Sequence, residues 1–134
     1  GVKARLRLFE PTAYLPMLQR HEASIYLLGW NVTTFDALYT LQSLLRTPAG
    51  GSDGNYNLGR YSNPALDKLI DRAKTEADQT VRTKLLTSAL QMASDDVAMI
   101  PLHNQMLSWV MRKEVQLTMR PDNRIDWTLV RVED

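Results

Sequence analysis

Two strand-like hydrophobic patterns lie on either side of a short helical pattern at the start of the chain. Residues 2–9 alternate apolar side chains with Lys and Arg, which predicts a strand with one buried face. Pro11 predicts the start of a short helix that ends near Gln19. The apolar run over residues 23–30 predicts a strand buried on both faces, as parallel strands between helix layers are. These three elements together predict a βαβ unit.

The middle of the chain carries helical patterns interrupted by one long polar stretch. Apolar residues at helical spacing predict a helix over residues 34–46. Residues 47–63 hold four of the six glycines and show no periodicity, which is typical of a loop. Asn63 and Pro64 predict the N-cap and first residue of a second helix. Asp78 predicts the cap of a third helix, which ends near residues 94–96.

Extended chain is predicted for the C-terminal third. Residues 98–111, interrupted by Pro101, lack a helical period, and residues 127–132 predict a final short strand. The whole pattern predicts the α/β fold class. Its sheet would be thin and its strand edges open, because two or three strands accompany four helices.

Composition narrows the class of protein without naming a partner. The chain has 134 residues, of which 44% are hydrophobic and 23% charged, with a formal net charge of +1. These values fit one ordinary globular domain and give no electrostatic reason to expect nucleic acid. The absence of cysteine excludes a disulfide framework and a thiolate site but leaves the compartment open. Because residue 1 is Gly, we expect a chain that was processed or cut from a longer one.

No catalytic or metal-binding motif emerges from the polar residues. Residues 53–57 begin like a calcium-binding loop, but Leu58 and Pro64 stand where that loop needs Gly and Glu, so a polar turn is favoured. His21 and His103 have no partner at the spacing of a metal site or a general base. No serine lies in a Gly-x-Ser-x-Gly turn. The sequence therefore predicts no enzyme, no metal site and no cofactor.

The segment after the second predicted strand is the candidate ligand-binding site. Ligands of open α/β sheets bind at the carboxyl ends of strands, and Trp30 ends such a strand with a large apolar face. Thr33 and Asp36 have the spacing of a capping box. In such a box Thr33 would cap the next helix, and the Asp36 side chain would accept a hydrogen bond from the Thr33 backbone N–H. Ligand contact remains open beside capping, because residues at a helix N-terminus also line the crevice. The candidate ligand-binding residues are Trp30, Asn31, Thr33 and Asp36.

Several short motifs occur in a fixed order along the chain. They are Gly29-Trp30, then Tyr61-Ser62-Asn63-Pro64-Ala65-Leu66-Asp67-Lys68-Leu69-Ile70, then Ala73, Asp78 and Arg82, and finally Met99-Ile100-Pro101-Leu102. Their order and spacing resemble the C-terminal part of family 5 extracytoplasmic solute-binding proteins. These are the peptide-, dipeptide- and nickel-binding receptors of ABC importers. The resemblance covers essentially all 134 residues.

The resemblance implies a fold and a division of the chain. It implies an α/β, periplasmic-binding-protein-like lobe (type II, cluster C) that is incomplete because the chain is a fragment. Residues 1–99 would belong to the second, C-terminal lobe. Residues 100–134 would return through the hinge and complete the first lobe with C-terminal strands. Strand edges that lack the rest of the protein would favour self-association.

The resemblance also implies a function. The whole protein would capture a small solute, a peptide or a peptide-like molecule, between two lobes and deliver it to an ABC permease. It would lie in the periplasm or another extracytoplasmic compartment, associated with the membrane. Peptide-binding members place an Asp three residues after the Trp, where it pairs with the α-amino group of the ligand. Here that position is Thr33, and Asp36, one helical turn on, is the candidate substitute.

Two other classes of function stay open from the sequence. One is a stand-alone α/β interaction or regulatory domain that has the fold without a transport role. The other is a small hydrolase, which would need a nucleophile and a base that the sequence does not pair. A signal peptide or lipoprotein leader upstream would favour transport over the interaction domain.

Overall fold

The computed structural model describes residues 1 and 3–133, and it places four helices before one small sheet. The helices are α1 (Pro11–Gln19), α2 (Ala37–Thr40), α3 (Pro64–Thr75) and α4 (Gln79–Asp95). Helix α2 continues directly into a π-helical turn over Leu41–Leu45, and a 3₁₀ turn covers Trp127–Leu129. Strands β1 (Val115–Gln116) and β2 (Arg131–Val132) pair antiparallel, with Val115 opposite Val132.

Helices α3 and α4 form a hairpin whose two N-termini are capped as the sequence predicts. The Asn63 side chain accepts hydrogen bonds from the backbone N–H groups of Ala65 at 2.9 Å and Leu66 at 3.3 Å. Asp78 accepts from those of Thr80 and Val81 at 2.8 and 2.9 Å. Each cap satisfies N–H groups that have no partner inside the helix. The predicted start of both helices is therefore confirmed.

The core lies between this hairpin and the π-helical turn. Leu41, Leu66 and Ile70 are completely buried. The cluster joins three leucines of the π-helical turn to one face of each long helix and consists of Leu41, Leu44, Leu45, Leu66, Ile70, Ala73, Leu85, Leu86, Ala89 and Ala93. The apolar spacing of three and four along α3 and α4 produces these faces.

The predicted loop after residue 46 is confirmed, and backbone contacts fix its path. Gly54 has φ +65°, and a Cβ there would lie 2.5 Å from the Arg46 carbonyl oxygen, so only glycine fits this turn. Asn57 is buried and acts within the loop, since its Nδ2 donates to the Arg46 and Tyr61 carbonyl oxygens at 3.0 and 2.7 Å. Asn57 thus ties the middle of the loop to the residue that follows the π-helical turn and to the last part of the loop before α3.

The two predicted strands at the start of the chain are wrong for the residues that the structure describes. Residues 3–9 and 23–30 contain no strand, and Val2 lies outside the described residues. Leu6 and Leu8 expose 83% and 86% of their surface, and Ile25 exposes 83%. An apolar alternation yields a strand only when a neighbouring strand takes its hydrogen bonds and another layer covers its face. The described residues supply neither, and no βαβ unit forms among them.

Two other predicted elements are corrected, and one is confirmed. The helix predicted over residues 34–46 begins at Ala37. Residues 98–111 are without helix or strand, as the extended pattern predicts. The first half of the strand predicted over residues 127–132 is instead a 3₁₀ turn. Asp126 caps this turn, because its side chain accepts a hydrogen bond from the Thr128 N–H at 3.1 Å. Only Arg131–Val132 is strand.

The α/β prediction is therefore confirmed for its helices and not for its sheet. In the described part of the chain, the only sheet has two strands of two residues each. The type II, cluster C architecture remains a prediction. Among the described residues, no helix has the length and apolar character needed to cross a membrane.

Candidate ligand-binding site

Trp30 is half-buried in an aromatic group beside α2. Its ring stacks on Tyr39, with centroids 5.3 Å apart and planes at 18°, and meets Tyr56 edge-on at 5.4 Å. Its indole Nε1 donates to the Thr40 hydroxyl at 3.1 Å. Trp30 also packs against the core. It therefore joins α2 to the 47–63 loop, and part of its surface stays accessible.

Asp36 is the N-cap of α2 and also one half of an ion pair. Its Oδ1 accepts from the Leu38 backbone N–H at 2.9 Å, and its Oδ2 lies 2.7 Å from an Arg82 guanidinium nitrogen. The Leu38 N–H, helped by Arg82 and opposed by partial burial, holds the pKa of Asp36 below its ordinary value. Asp36 is therefore charged at neutral pH, with both carboxylate oxygens engaged.

The predicted capping box is wrong, because Asp36 itself caps the helix and Thr33 does not. Thr33 is exposed and takes part in no hydrogen bond among the described residues. Phe35 has φ +53°, a left-handed turn that is unusual for a bulky residue. That turn separates Thr33 from the helix and moves the helix start three residues onward. The Asp36 N–H instead donates to the Thr34 hydroxyl at 3.4 Å.

Asn31 is exposed and contacts a distant part of the chain. Its Nδ2 donates to the Asp122 carbonyl oxygen at 3.4 Å. Asp122 is itself buried, and the Arg120 guanidinium, followed by the Arg124 N–H, lowers the pKa of its carboxyl to about 2. Asn31 thus joins the candidate site to the turn that precedes residue 126.

The four candidate residues occupy one segment around α2. Asp36 caps the N-terminal end of α2 and Trp30 bonds to Thr40 at its C-terminal end. Thr33 lies exposed just before the helix. The sequence missed Tyr39, Tyr56 and Arg82 as neighbours of this site. Arg82 lies 46 residues from Asp36, so no local spacing indicates their contact.

A second polar cluster that sequence reasoning missed holds the loop against α3. Arg46 binds both carboxylate oxygens of Asp71, at 3.1 and 2.9 Å, and lies 3.4 Å from Asp53. Lys74 bonds to Asp53 at 2.7 Å. Arg46 is the main cause that lowers the pKa of Asp71, and Lys74 is the main cause that lowers the pKa of Asp53. These charges are paired with one another, so their effect is structural.

Among residues 1 and 3–133, no group of three or more histidine, aspartate or glutamate side chains is placed to hold a metal ion. The arrangement around α2 instead offers aromatic surface, hydroxyl and amide groups. Such groups bind an organic ligand by stacking and hydrogen bonding.

Comparison with curated proteins finds relatives that match most of this chain. It is 30% identical over 115 residues to di/tripeptide-binding protein 1 of Pseudomonas aeruginosa (strain UCBPP-PA14), a match that covers 86% of this chain and 21% of that protein. It is 28% identical over 136 residues to probable di/tripeptide-binding protein 5 of the same strain, covering 99% of this chain and 25% of that protein.

A relative from another organism gives the same picture. The chain is 28% identical over 103 residues to the periplasmic oligopeptide-binding protein OppA of Salmonella typhimurium (strain LT2), covering 77% of this chain and 18% of that protein. The chain thus spans about a fifth to a quarter of the relatives it matches. No protein-family model matches the chain, and no solved structure matches it significantly. The resemblance inferred from the motifs is confirmed: the chain is similar to a segment of the family 5 extracytoplasmic solute-binding proteins.

Proposed function

We propose that this chain is the C-terminal segment of a periplasmic solute-binding protein that supplies a peptide or peptide-like ligand to an ABC permease. One observation carries the proposal: relatives that align with 77–99% of the chain are named as peptide-binding proteins. One of them is also named as periplasmic. Relatives named for binding support a receptor and not an enzyme.

We further propose that residues 1–99 belong to the second lobe and residues 100–134 complete the first. The exposed apolar side chains outside the hairpin support a larger assembly. They are concentrated in segments 3–9, 23–28 and 97–111, and include Leu6, Leu8, Ile25, Leu27, Val97, Ile100, Leu102, Met106 and Val110. Apolar side chains exposed in such numbers are unusual for a complete soluble domain. The remainder of a longer protein would cover them in a type II, cluster C fold.

The proposed ligand contacts are Trp30, Asn31, Thr33 and Asp36. Trp30 would offer the accessible part of its ring to an apolar side chain, and the exposed Thr33 and Asn31 would offer uncharged hydrogen-bonding groups. Asp36 could reach a ligand ammonium only in competition with Arg82, which already lies 2.7 Å from it. The 47–63 loop would flank the same ligand through Tyr56. Closure of the lobes would be favoured by contacts that exist only in the closed form.

Isothermal titration calorimetry of the full-length protein tests this function. The panel contains dipeptides, tripeptides, longer oligopeptides, free amino acids, nickel complexes and haem. We expect saturable heat with at least one peptide class, and weaker binding after Trp30→Ala. Saturable binding of a non-peptide class alone would support a solute receptor and would contradict the proposed peptide ligand. Absence of binding to every class would overturn the proposal of a solute receptor and favour a stand-alone interaction domain.

Two matched variants test how Asp36 acts. Asp36→Asn retains an oxygen that caps α2 and removes the charge, and Arg82→Gln removes the competing cation. If Asp36 pairs with the ligand α-amino group, Asp36→Asn weakens binding of free peptides and not of N-acetylated peptides. Arg82→Gln then strengthens binding of the free peptides. Equal affinities in all three proteins would remove Asp36 from the ligand contacts.

A further inference from the structure

The C-terminal end of α1 is attached to the 47–63 loop through one histidine. His21 Nδ1 lies 3.2 Å from the Leu58 carbonyl oxygen, and the Arg60 Nε donates to His21 Nε2 at 2.8 Å. These two contacts join residues 37 and 39 positions apart. We name the group of His21, Leu58 and Arg60 the His21 latch.

The partners of the ring determine its protonation state. A carbonyl oxygen only accepts hydrogen bonds, so Nδ1 must carry the hydrogen. A guanidinium only donates, so Nε2 must present a lone pair. Both contacts therefore form only with the neutral imidazole in its Nδ1–H form. A proton added at Nε2 removes the acceptor and places two cations within hydrogen-bond distance.

The charged groups around the ring do not compensate for that second cation. On the histidine's own segment, Arg20 and Glu22 are paired with each other, and Arg7 from the first segment also acts on Glu22. From the loop, the facing charge is Arg60, and the nearby Tyr26 hydroxyl contacts the Gly59 backbone. Among the described residues, no carboxylate bonds to the His21 ring. An imidazolium would therefore face Arg60 without an anionic partner.

The backbone at both ends of the latch supports a contact that can open. His21 and Arg60 both have φ +57°. The left-handed region is disfavoured for side chains other than glycine, although histidine and asparagine occupy it more often than most. Loss of the latch would allow Arg60 to return to an ordinary conformation.

We propose that the His21 latch is a pH-sensitive attachment of α1 to the 47–63 loop, closed when His21 is neutral and released when it is protonated. Histidine is the side chain that ordinarily changes charge between about pH 5 and 8. Since this loop also carries Tyr56 beside Trp30, release would loosen the wall of the aromatic group. This inference concerns the chain itself and is independent of the proposed function.

Amide hydrogen exchange of the full-length protein tests the latch. Exchange of segments 11–22 and 56–62 is compared at about pH 5 and about pH 7.5 after correction for intrinsic rates. We expect protection in the wild type to fall about fivefold at the lower pH, as the loss of one typical hydrogen bond implies. Equal corrected protection at both pH values would overturn the proposal.

Three variants separate the latch from general acid effects. Arg60→Gln supplies an amide that donates to the neutral ring or accepts from the charged ring, so protection should stay constant with pH. His21→Gln supplies one donor and one acceptor that do not titrate, with the same expected result. His103→Gln, which changes an exposed histidine bonded to Gln105, should retain the wild-type response. A pH response that survives in Arg60→Gln and His21→Gln, or disappears in His103→Gln, would contradict the latch.

Discussion

The α3–α4 hairpin and segment 98–111 differ in burial although both are rich in apolar residues. Leu66 and Ile70 of α3 are completely buried, whereas Ile100 exposes 73% and Val110 exposes 100% of its surface. The buried faces of the hairpin thus have their partners within this chain, on the two helices themselves and on the π-helical turn. Segment 98–111 has no strand partner among the described residues.

This difference shows which structure a short stretch of chain can complete by itself. A helix forms its backbone hydrogen bonds internally, and its caps come from residues two or three positions away. Two helices joined by a short link then bury one face each against the other. A strand needs hydrogen bonds and cover from another segment, which can lie anywhere in the protein. The hairpin therefore forms its backbone contacts locally, whereas segment 98–111 has no strand partner among the described residues.

Matched leucine truncations should give the largest difference between the two regions. In the 134-residue chain, Leu66→Ala should lower the free energy of unfolding by about 2–5 kcal/mol, because it empties a completely buried position. Leu102→Ala removes the same atoms from an exposed position and should change it by less than about 0.5 kcal/mol. Urea unfolding followed by far-UV circular dichroism measures both.

The same pair sharpens the comparison in the full-length protein. If the remaining chain covers segment 98–111, Leu102→Ala should lower the free energy of unfolding of the full-length protein. Leu66→Ala should lower it by the same amount as in the 134-residue chain. Equal costs of the two variants in the 134-residue chain would show that the segment is already packed. A harmless Leu102→Ala in the full-length protein would contradict its burial by the missing parts.

Removal of the α3 cap should have the next largest effect. Asn63→Ala deletes the acceptor for Ala65 and Leu66 and also the Nδ2 donor to Asp96 at 2.8 Å, so we expect a loss of about 1–2 kcal/mol. Asn63→Asp keeps the acceptor but places a carboxylate beside Asp96, and should lie between Asn63→Ala and the wild type. The same urea titration measures all three. A cost for Asn63→Asp above that for Asn63→Ala would show that repulsion from Asp96 outweighs the cap.

Local signals in the sequence predicted the helical part and failed for the strands. Asn63, Pro64 and Asp78 determine where α3 and α4 begin, because a cap acts within three residues. Residues 3–9 show the same clarity of pattern, yet they form no strand, since the pattern encodes burial against a partner and not the partner itself. The predicted α/β layering therefore fails at residues 3–9 and 23–30, which pair with no strand among the described residues.

The candidate site was predictable in its position and not in its contacts. Trp30 and Asp36 do lie around α2, but the positive φ of Phe35 displaced the cap from Thr33. A left-handed phenylalanine has no reliable sequence signal, since glycine and asparagine are the residues expected there. The Asp36–Arg82 pair joins two helices that meet only in the folded chain. Sequence spacing predicts contacts only within about one turn of helix, so it cannot predict a contact between residues 46 positions apart.

Acid should produce the smallest difference, through the charges that tie the 47–63 loop to α3. The pKa of Asp53 is lowered from 3.8, chiefly by its bond to Lys74, so its stabilising contribution is complete above the ordinary value and is lost as the pH falls through the lowered one. Lys74→Gln removes that cation and should reduce stability near neutral pH by less than about 1 kcal/mol, since the pair is partly solvent-screened. The deficit should vanish once Asp53 is protonated in both proteins. The control is Lys84→Gln, which removes an exposed lysine of α4 that joins no ion pair among the described residues. Its free energy of unfolding should follow that of the wild type at every pH. Parallel curves for Lys74→Gln as well would mean that backbone contacts, and not these charges, hold the loop on the hairpin.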